Sequence, residues 1–177
     1  DEVREVLREA REVVKRLKDR LRRILEESRR VVDELRDKNR KDHETYRKVV
    51  EELKKRLEER KTEDVMRDIR RVHEELNRHS EELAKEAEEV ARETHKKIEK
   101  LAREIRKVLK ELLKKVDEAN LPEEVRKDIE RLFKELEDIL KEIKEDNRRL
   151  VEDIKRSLEK NKRDLEKLVK ESEDEER

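Results

Sequence analysis

The sequence has no glycine, no cysteine and no tryptophan, and only one proline, one tyrosine, one phenylalanine and one methionine. Each absence removes a class of protein. Without cysteine there is no disulfide framework, no thiol nucleophile and no thiolate metal ligand, and nothing points to a redox compartment. Without glycine there is no loop to cradle a phosphate. There is also no excess charge of one sign. The 53 basic and 53 acidic residues cancel and are interspersed, so no broad field attracts nucleic acid or a membrane surface. No apolar run approaches the roughly 20 residues that span a bilayer. The opening "DEVREVLREA" lacks the apolar segment of a signal peptide. The chain is expected to be soluble, to carry no targeting signal and to be cytoplasmic if recombinantly expressed. No nucleic acid, membrane, small molecule or cofactor is expected as a partner.

What remains is charge laid out with a period. Charged residues make up 60% of the chain, a composition that fits disorder unless the apolar residues are ordered in sequence. They are. The first stripe reads Val3, Leu7, Ala10, Val14, Leu17, Leu21, Ile24, Ser28, Val31 and Leu35, then Tyr46, Val49, Leu53 and Leu57. A second runs Val65, Ile69, Val72, Leu76, then His79 or Ser80, Leu83, Ala87, Val90, Thr94, Ile98, Leu101, Ile105, Val108 and Leu112. The third runs Val125, Ile129, Leu132, Leu136, Ile139, Ile143, Asn147, Leu150, Ile154, Ser157, Asn161, Leu165 and Leu168. Steps of three and four alternate, which is the heptad pattern of helices that pack with a left-handed supercoil.

Two breaks divide the pattern. In "DEANLPEEV", Asn120 suits a helix end and Pro122 suits the first turn of the next helix, where its missing N–H costs nothing. In "EERKTEDVM", Thr62 can cap a new helix with Glu63 and Asp64 at its positive end. With no glycine to mark the turn, the alternative there is a continuous helix. Two breaks give helices of about 2–60, 63–119 and 122–174, each roughly 85 Å long at 1.5 Å per residue. Their equal lengths and short connections predict one all-α domain over residues 1–177: a long up-down-up antiparallel three-helix bundle. "RDKNRKDHET", residues 36–45, holds no aliphatic residue. It is read as unbroken helix because Asn39, His43 and Tyr46 keep the stripe's phase.

The polar residues on the stripes test this topology. In such a bundle, residue numbers at one level add to about 123 between the first two helices and about 241 between the last two. Ser28 then shares a level with Thr94 and Asn147, with His95 at the margin. Asn39, His43 and Tyr46 share another with His79, Ser80, Ser157 and Asn161, and Asp42 stands at its edge, placed to orient an imidazole. His79 and Ser80 are expected to face His43 and Asn161. A buried polar group without a partner costs about 1–3 kcal/mol, so a register slip that separates partners is penalised.

Sharper chemistry fits these residues less well. His43, His79 and Asp42 are ligand types that zinc accepts, but no two histidines stand four apart and no Glu-x-x-His pair occurs. A metal site is therefore not expected. Carboxylates are everywhere, so a carboxylate pair carries no information, and no activated nucleophile is evident; the chain is read as no enzyme. His73 and Asn77 read as solvated or boundary positions. If His43 and His79 are buried and neutral, burial disfavours their charged forms and stability falls as pH drops below about 6.5.

Strict heptads, Glu, Lys and Arg on nearly every outer position, terse linkers at Thr62 and Pro122, and level-matched polar stretches such as "SRRVVDEL" and "NRRLVEDI" resemble de novo designed helical bundles with buried hydrogen-bond networks. The resemblance spans the whole chain, although the Gly- or Ser-rich loops of many such designs are missing. Natural spectrin-type repeats have shorter helices and a characteristic Trp that is absent here. The resemblance implies a structural scaffold, monomeric, with no natural biochemical activity. Its alternative is an interaction module: a heterodimer half, a switchable cage that accepts a further helix, or a self-associating chain. Extra apolar residues in pairs such as Val49/Val50, Leu132/Phe133 and Ile139/Leu140 occur in some heptads only, which favours a closed bundle.

Overall fold

The computed structural model describes residues 1–59 and 63–176, with the side chains at 165, 168, 169 and 172–177 outside the description. Three helices account for nearly all of it: α1 (Glu2–Glu59), α2 (Glu63–Glu118) and α3 (Glu123–Glu176). No strand occurs among the described residues. The fold is an all-α, up-down-up antiparallel three-helix bundle. The expected cap at Thr62 lies outside the described residues, as do the side chains of the stripe positions Leu165 and Leu168.

Helices this long need continuity, and the sequence supplies it by excluding glycine and confining its one proline to a boundary. Acidic residues open each helix: Glu2 and Glu5, Glu63 and Asp64, Glu123 and Glu124. They face the positive end of the helix dipole. α1 runs through residues 36–45 without a break. The end of α2 is closed by backbone geometry. Asn120 adopts a left-handed conformation with φ 48°. Its N–H donates to the carbonyl of Asp117, and that of Leu121 to the carbonyl of Val116, at 3.2 and 3.1 Å. This is the paired closure of a Schellman motif, and Leu121 completes it by packing on the cluster that contains Val116. Asparagine stands where glycine is the usual choice. Pro122 follows and accepts the N–H of Val125 at 3.0 Å, starting α3.

The chain divides into two compact units, to each of which all three helices contribute: Asp1–Arg30 with Val90–Arg148, and Val31–Glu89 with Arg149–Arg177. In the first, one continuous cluster forms the core. It includes Ala10, Val14, Leu17, Leu21 and Leu25 from α1, Ile98, Leu101, Ile105, Leu112 and Val116 from α2, and Val125, Ile129, Phe133, Leu136, Leu140 and Ile143 from α3. Ion pairs mark its register. Glu9–Lys115, Arg20–Glu104 and Glu27–Lys97 step up α1 as they step down α2. Lys18–Glu135 and Arg29–Asp146 join the parallel pair α1 and α3. Exposed pairs of this kind contribute about 0–1 kcal/mol each, so they report register more than they create stability.

The second unit has a more divided core. Leu53, Leu57, Met66 and Ile69 form one cluster, and Val50 with Leu76 forms another, backed by Tyr46 and Val72. Lys38–Glu86 again pairs α1 with α2 running opposite, and Arg36–Asp153 and Lys155–Glu88 tie in α3.

The stripes are displaced by one residue in places. Leu25, Phe133, Leu140 and Val50 are buried, while their stripe neighbours Ile24, Leu132, Ile139 and Val49 are half-buried. Each helix meets two partners, so adjacent positions both find cover. No large hydrophobic side chain is exposed among the described residues.

Candidate functional site

Among the described residues, the buried polar side chains are Ser28, Asn39, Thr94, Asn147 and Asn161. All five stand at heptad stripe positions, where helix packing places them inside whatever their polarity.

In the first unit, Ser28 of α1 donates from Oγ to Oδ1 of Asn147 on α3, at 3.3 Å. Thr94 is buried on α2, and His95 is exposed, with its ring 3.9 Å from Glu99. Just outside the Ser28–Asn147 bond, Arg29 reaches back to α3 with two donors. Nε donates to Asp146 at 3.1 Å and Nη2 to Glu142 at 3.0 Å. The hydrogen bond to Asp146 raises the Arg29 guanidinium above its ordinary value, against a smaller opposing effect of burial. Nothing in the sequence marks this clamp, because Arg29 is one basic residue among 53. Its only signal is its place beside a polar stripe position.

In the second unit, Asn39 donates from Nδ2 to Oγ of Ser157 at 2.8 Å, again from α1 to α3. Asn39, Asp42, His43, His79, Ser80 and Asn161 line one cavity, closed by Leu76, Leu83 and Leu158. Its volume is about 10 Å³, close to the space one water centre needs. All three helices thus bring polar groups to a common point. Tyr46 stands beside it, its ring 6.2 Å from that of His79 at 63°, an edge-on contact. Burial raises the Tyr46 hydroxyl above its ordinary value, the charges of Glu75 and Asp42 add to this, and Arg78 offsets part of it.

His79 meets the carboxylate expected to orient an imidazole: its Nε2 lies 2.9 Å from Oδ2 of Asp42. That oxygen is buried and takes part in no hydrogen bond. With Ser80, His79 lines the cavity shared by His43 and Asn161, but its close polar contact is with Asp42. The premise of the acid response also changes. His43 and His79 are half-buried, not buried, and His79 has a carboxylate beside it. Full desolvation of two neutral imidazoles therefore does not describe this layer.

His73 and Asn77 are half-buried on α2, so they are boundary and not solvated positions. His73 Nε2 and Asn77 Oδ1 are buried without a hydrogen-bond partner. No group of three or more His, Cys, Asp or Glu is placed to hold a metal ion among the described residues. Nor is any helix among them long and apolar enough to cross a membrane.

No family model and no curated protein matches the chain. Its fold is similar to that of a solved structure described as a computationally designed three helix bundle. The two share 20% sequence identity at a TM-score of 0.50, over 96% of this chain and 86% of that one. At that identity the likeness is one of fold.

Proposed function

We propose that the chain is a designed structural scaffold without natural biochemical activity, in which two polar core layers specify helix register. The observation that carries this reading is the buried polar set: it falls at two levels, and in each a side-chain hydrogen bond joins α1 to α3, Ser28 to Asn147 and Asn39 to Ser157. The solved neighbour's description as a designed three-helix bundle supports the same origin. A satisfied polar layer contributes little net stability but penalises alternatives in which the partners separate.

The alternative, a module that takes up a further helix, has less support. An incoming amphipathic helix needs an apolar stripe to cover, and no large hydrophobic residue is exposed among the described residues.

The test replaces both hydrogen-bonded pairs with aliphatic residues: Ser28→Ala, Asn147→Leu, Asn39→Leu and Ser157→Ala together. The expected variant melts at the same or a higher temperature yet populates more than one register or oligomer, seen by light scattering and by inter-helix distance distributions from spin labels. A variant that remains one monomeric species with unchanged distances overturns the register reading. A clean dimer or trimer of the unmodified chain overturns the monomer.

A further inference from the structure

We propose that the cavity where α1, α2 and α3 meet in the second unit is a binding site for one long-lived water molecule, held by His43, Ser80 and Asn161. The proposal rests on the reading of this level as a polar layer and says how the layer takes in α2. The direct hydrogen bond there, Asn39 to Ser157, joins α1 to α3 only.

One unpartnered group comes from each helix. Six polar residues line the cavity: Asn39, Asp42, His43, His79, Ser80 and Asn161. Asn39 is bonded to Ser157. Asp42 and His79 face each other at 2.9 Å, and Oδ2 of Asp42 is sealed by its neighbours, so it is no partner for the water. The other three are His43 on α1, Ser80 on α2 and Asn161 on α3, and their side chains make no hydrogen bond to another described residue. Asn161 is only 7% exposed, and a buried amide left without a partner is unfavourable. Unlike Oδ2 of Asp42, its polar atoms remain open to a water-sized neighbour.

Size and chemistry then select water. A volume of about 10 Å³ admits one water centre and excludes an organic ligand. Buried waters make about three hydrogen bonds, and three free groups are present. A hydroxyl and an amide each donate and accept, and an imidazole does both through its two nitrogens, so water is matched where a bare ion is not. Leu76, Leu83 and Leu158 close the cavity. Asn39, His43 and Asn161 also line the groove between α1 and α3, through which water enters. Bound there, one molecule links all three helices at one level, and α2 cannot slide along the other two without losing it.

Oxygen-17 relaxation dispersion of the full chain tests the site. It counts water oxygens held for longer than the tumbling time, and labile hydroxyl protons do not contribute. Asn161→Leu removes one partner and fills the space, and Ser80→Val does the same from α2. Each variant is expected to hold one long-lived water fewer than the unmodified chain. Water-to-methyl Overhauser effects in the unmodified chain should fall on Leu76, Leu83 and Leu158, which are buried from bulk solvent. An unchanged count in both variants overturns the proposal, because the three groups are then hydrated only by fast-exchanging groove water. Absence of the Overhauser effects at all three leucines also overturns it. Both variants keep Asn39 and Ser157, so the two readings fail separately. The water site fails on the count, whereas the register reading fails on the inter-helix distances of the fourfold aliphatic replacement.

Discussion

Asn39 Nδ2 donates to the hydroxyl of Ser157 across the interface of α1 and α3, at 2.8 Å. Asn39 is buried, so Ser157→Ala leaves a buried amide without its acceptor, whereas replacing both residues by apolar ones leaves nothing unpaired. The single substitution is expected to destabilise by about 1–3 kcal/mol. The loss should lie toward the lower end, because both residues also line an open groove where water can substitute. The double variant Asn39→Leu, Ser157→Ala should recover most of it. Chemical denaturation of the three proteins measures the cycle. Additive losses in the double variant would show that the bond itself, and not the orphaned amide, dominates.

The left-handed Asn120 at the end of α2 gives a second expectation. Left-handed backbone costs a residue with a Cβ about 1–2 kcal/mol, asparagine less than most, and glycine almost nothing. Asn120→Gly should therefore raise stability and Asn120→Ala should lower it by about 1 kcal/mol. Thermal melts decide between these signs, and a stabilising alanine would contradict the helix closure described for residues 116–121.

The contrast between Asn120 and His79 shows what is readable from sequence. Asn120 followed by Leu121 and Pro122 is local chemistry, since chain geometry at a helix end depends on a few adjacent residues. The three helices are legible for a similar reason: a heptad stripe repeated over more than 50 residues has no competing interpretation. α1 is continuous through Lys38–Glu44 because Asn39 and His43 hold the phase. Even the polar levels follow from counting along antiparallel neighbours. What does not follow is the choice between adjacent positions, such as Phe133 over Leu132 or Leu140 over Ile139. A stripe in a helix of about 3.6 residues per turn drifts against a seven-residue repeat, and the supercoil only partly removes that drift. The partner of His79 is legible only as a choice, since Asp42 and His43 are consecutive and a rotamer decides which one is met. Arg29 was hidden by the abundance of its own type.

Tyr46 offers a spectroscopic reading of the second unit, because the chain has no other tyrosine and no tryptophan. Its hydroxyl is raised above the ordinary value of about 10, first by burial and then by Glu75 and Asp42. The folded state thus holds the proton more tightly than the unfolded state. This contribution to stability is fully present below about pH 10 and is lost as pH rises through the folded value. Tyrosinate absorbance should show a higher midpoint for the native chain than for the chain in denaturant. Glu75→Gln should lower the native midpoint. A native midpoint at or below the denatured one would remove the burial of Tyr46 from the account.

The two units should also differ in how readily they open. In the first, a single cluster runs from Ala10 to Leu25 on α1 and is matched along α2 and α3, so any local opening exposes several aliphatic side chains at once. In the second, the stretch of α1 from Asn39 to Tyr46 contributes no aliphatic residue, and it borders a polar cavity and a groove of about 320 Å³. Opening there exposes little apolar surface, and the released amide and hydroxyl groups regain water. Since protection from exchange follows the free energy of opening, amides of residues 39–46 should exchange faster than those of residues 14–25 by a factor of about 10 or more. An opening difference of about 1.4 kcal/mol is enough for that factor, which is comparable to burying two methylene groups. Filling the layer with Asn39→Leu and Asn161→Leu should slow exchange at 39–46 and leave 14–25 unchanged. Uniform exchange along α1 would mean that the polar layer leaves local stability unaltered, and that its effect is confined to register.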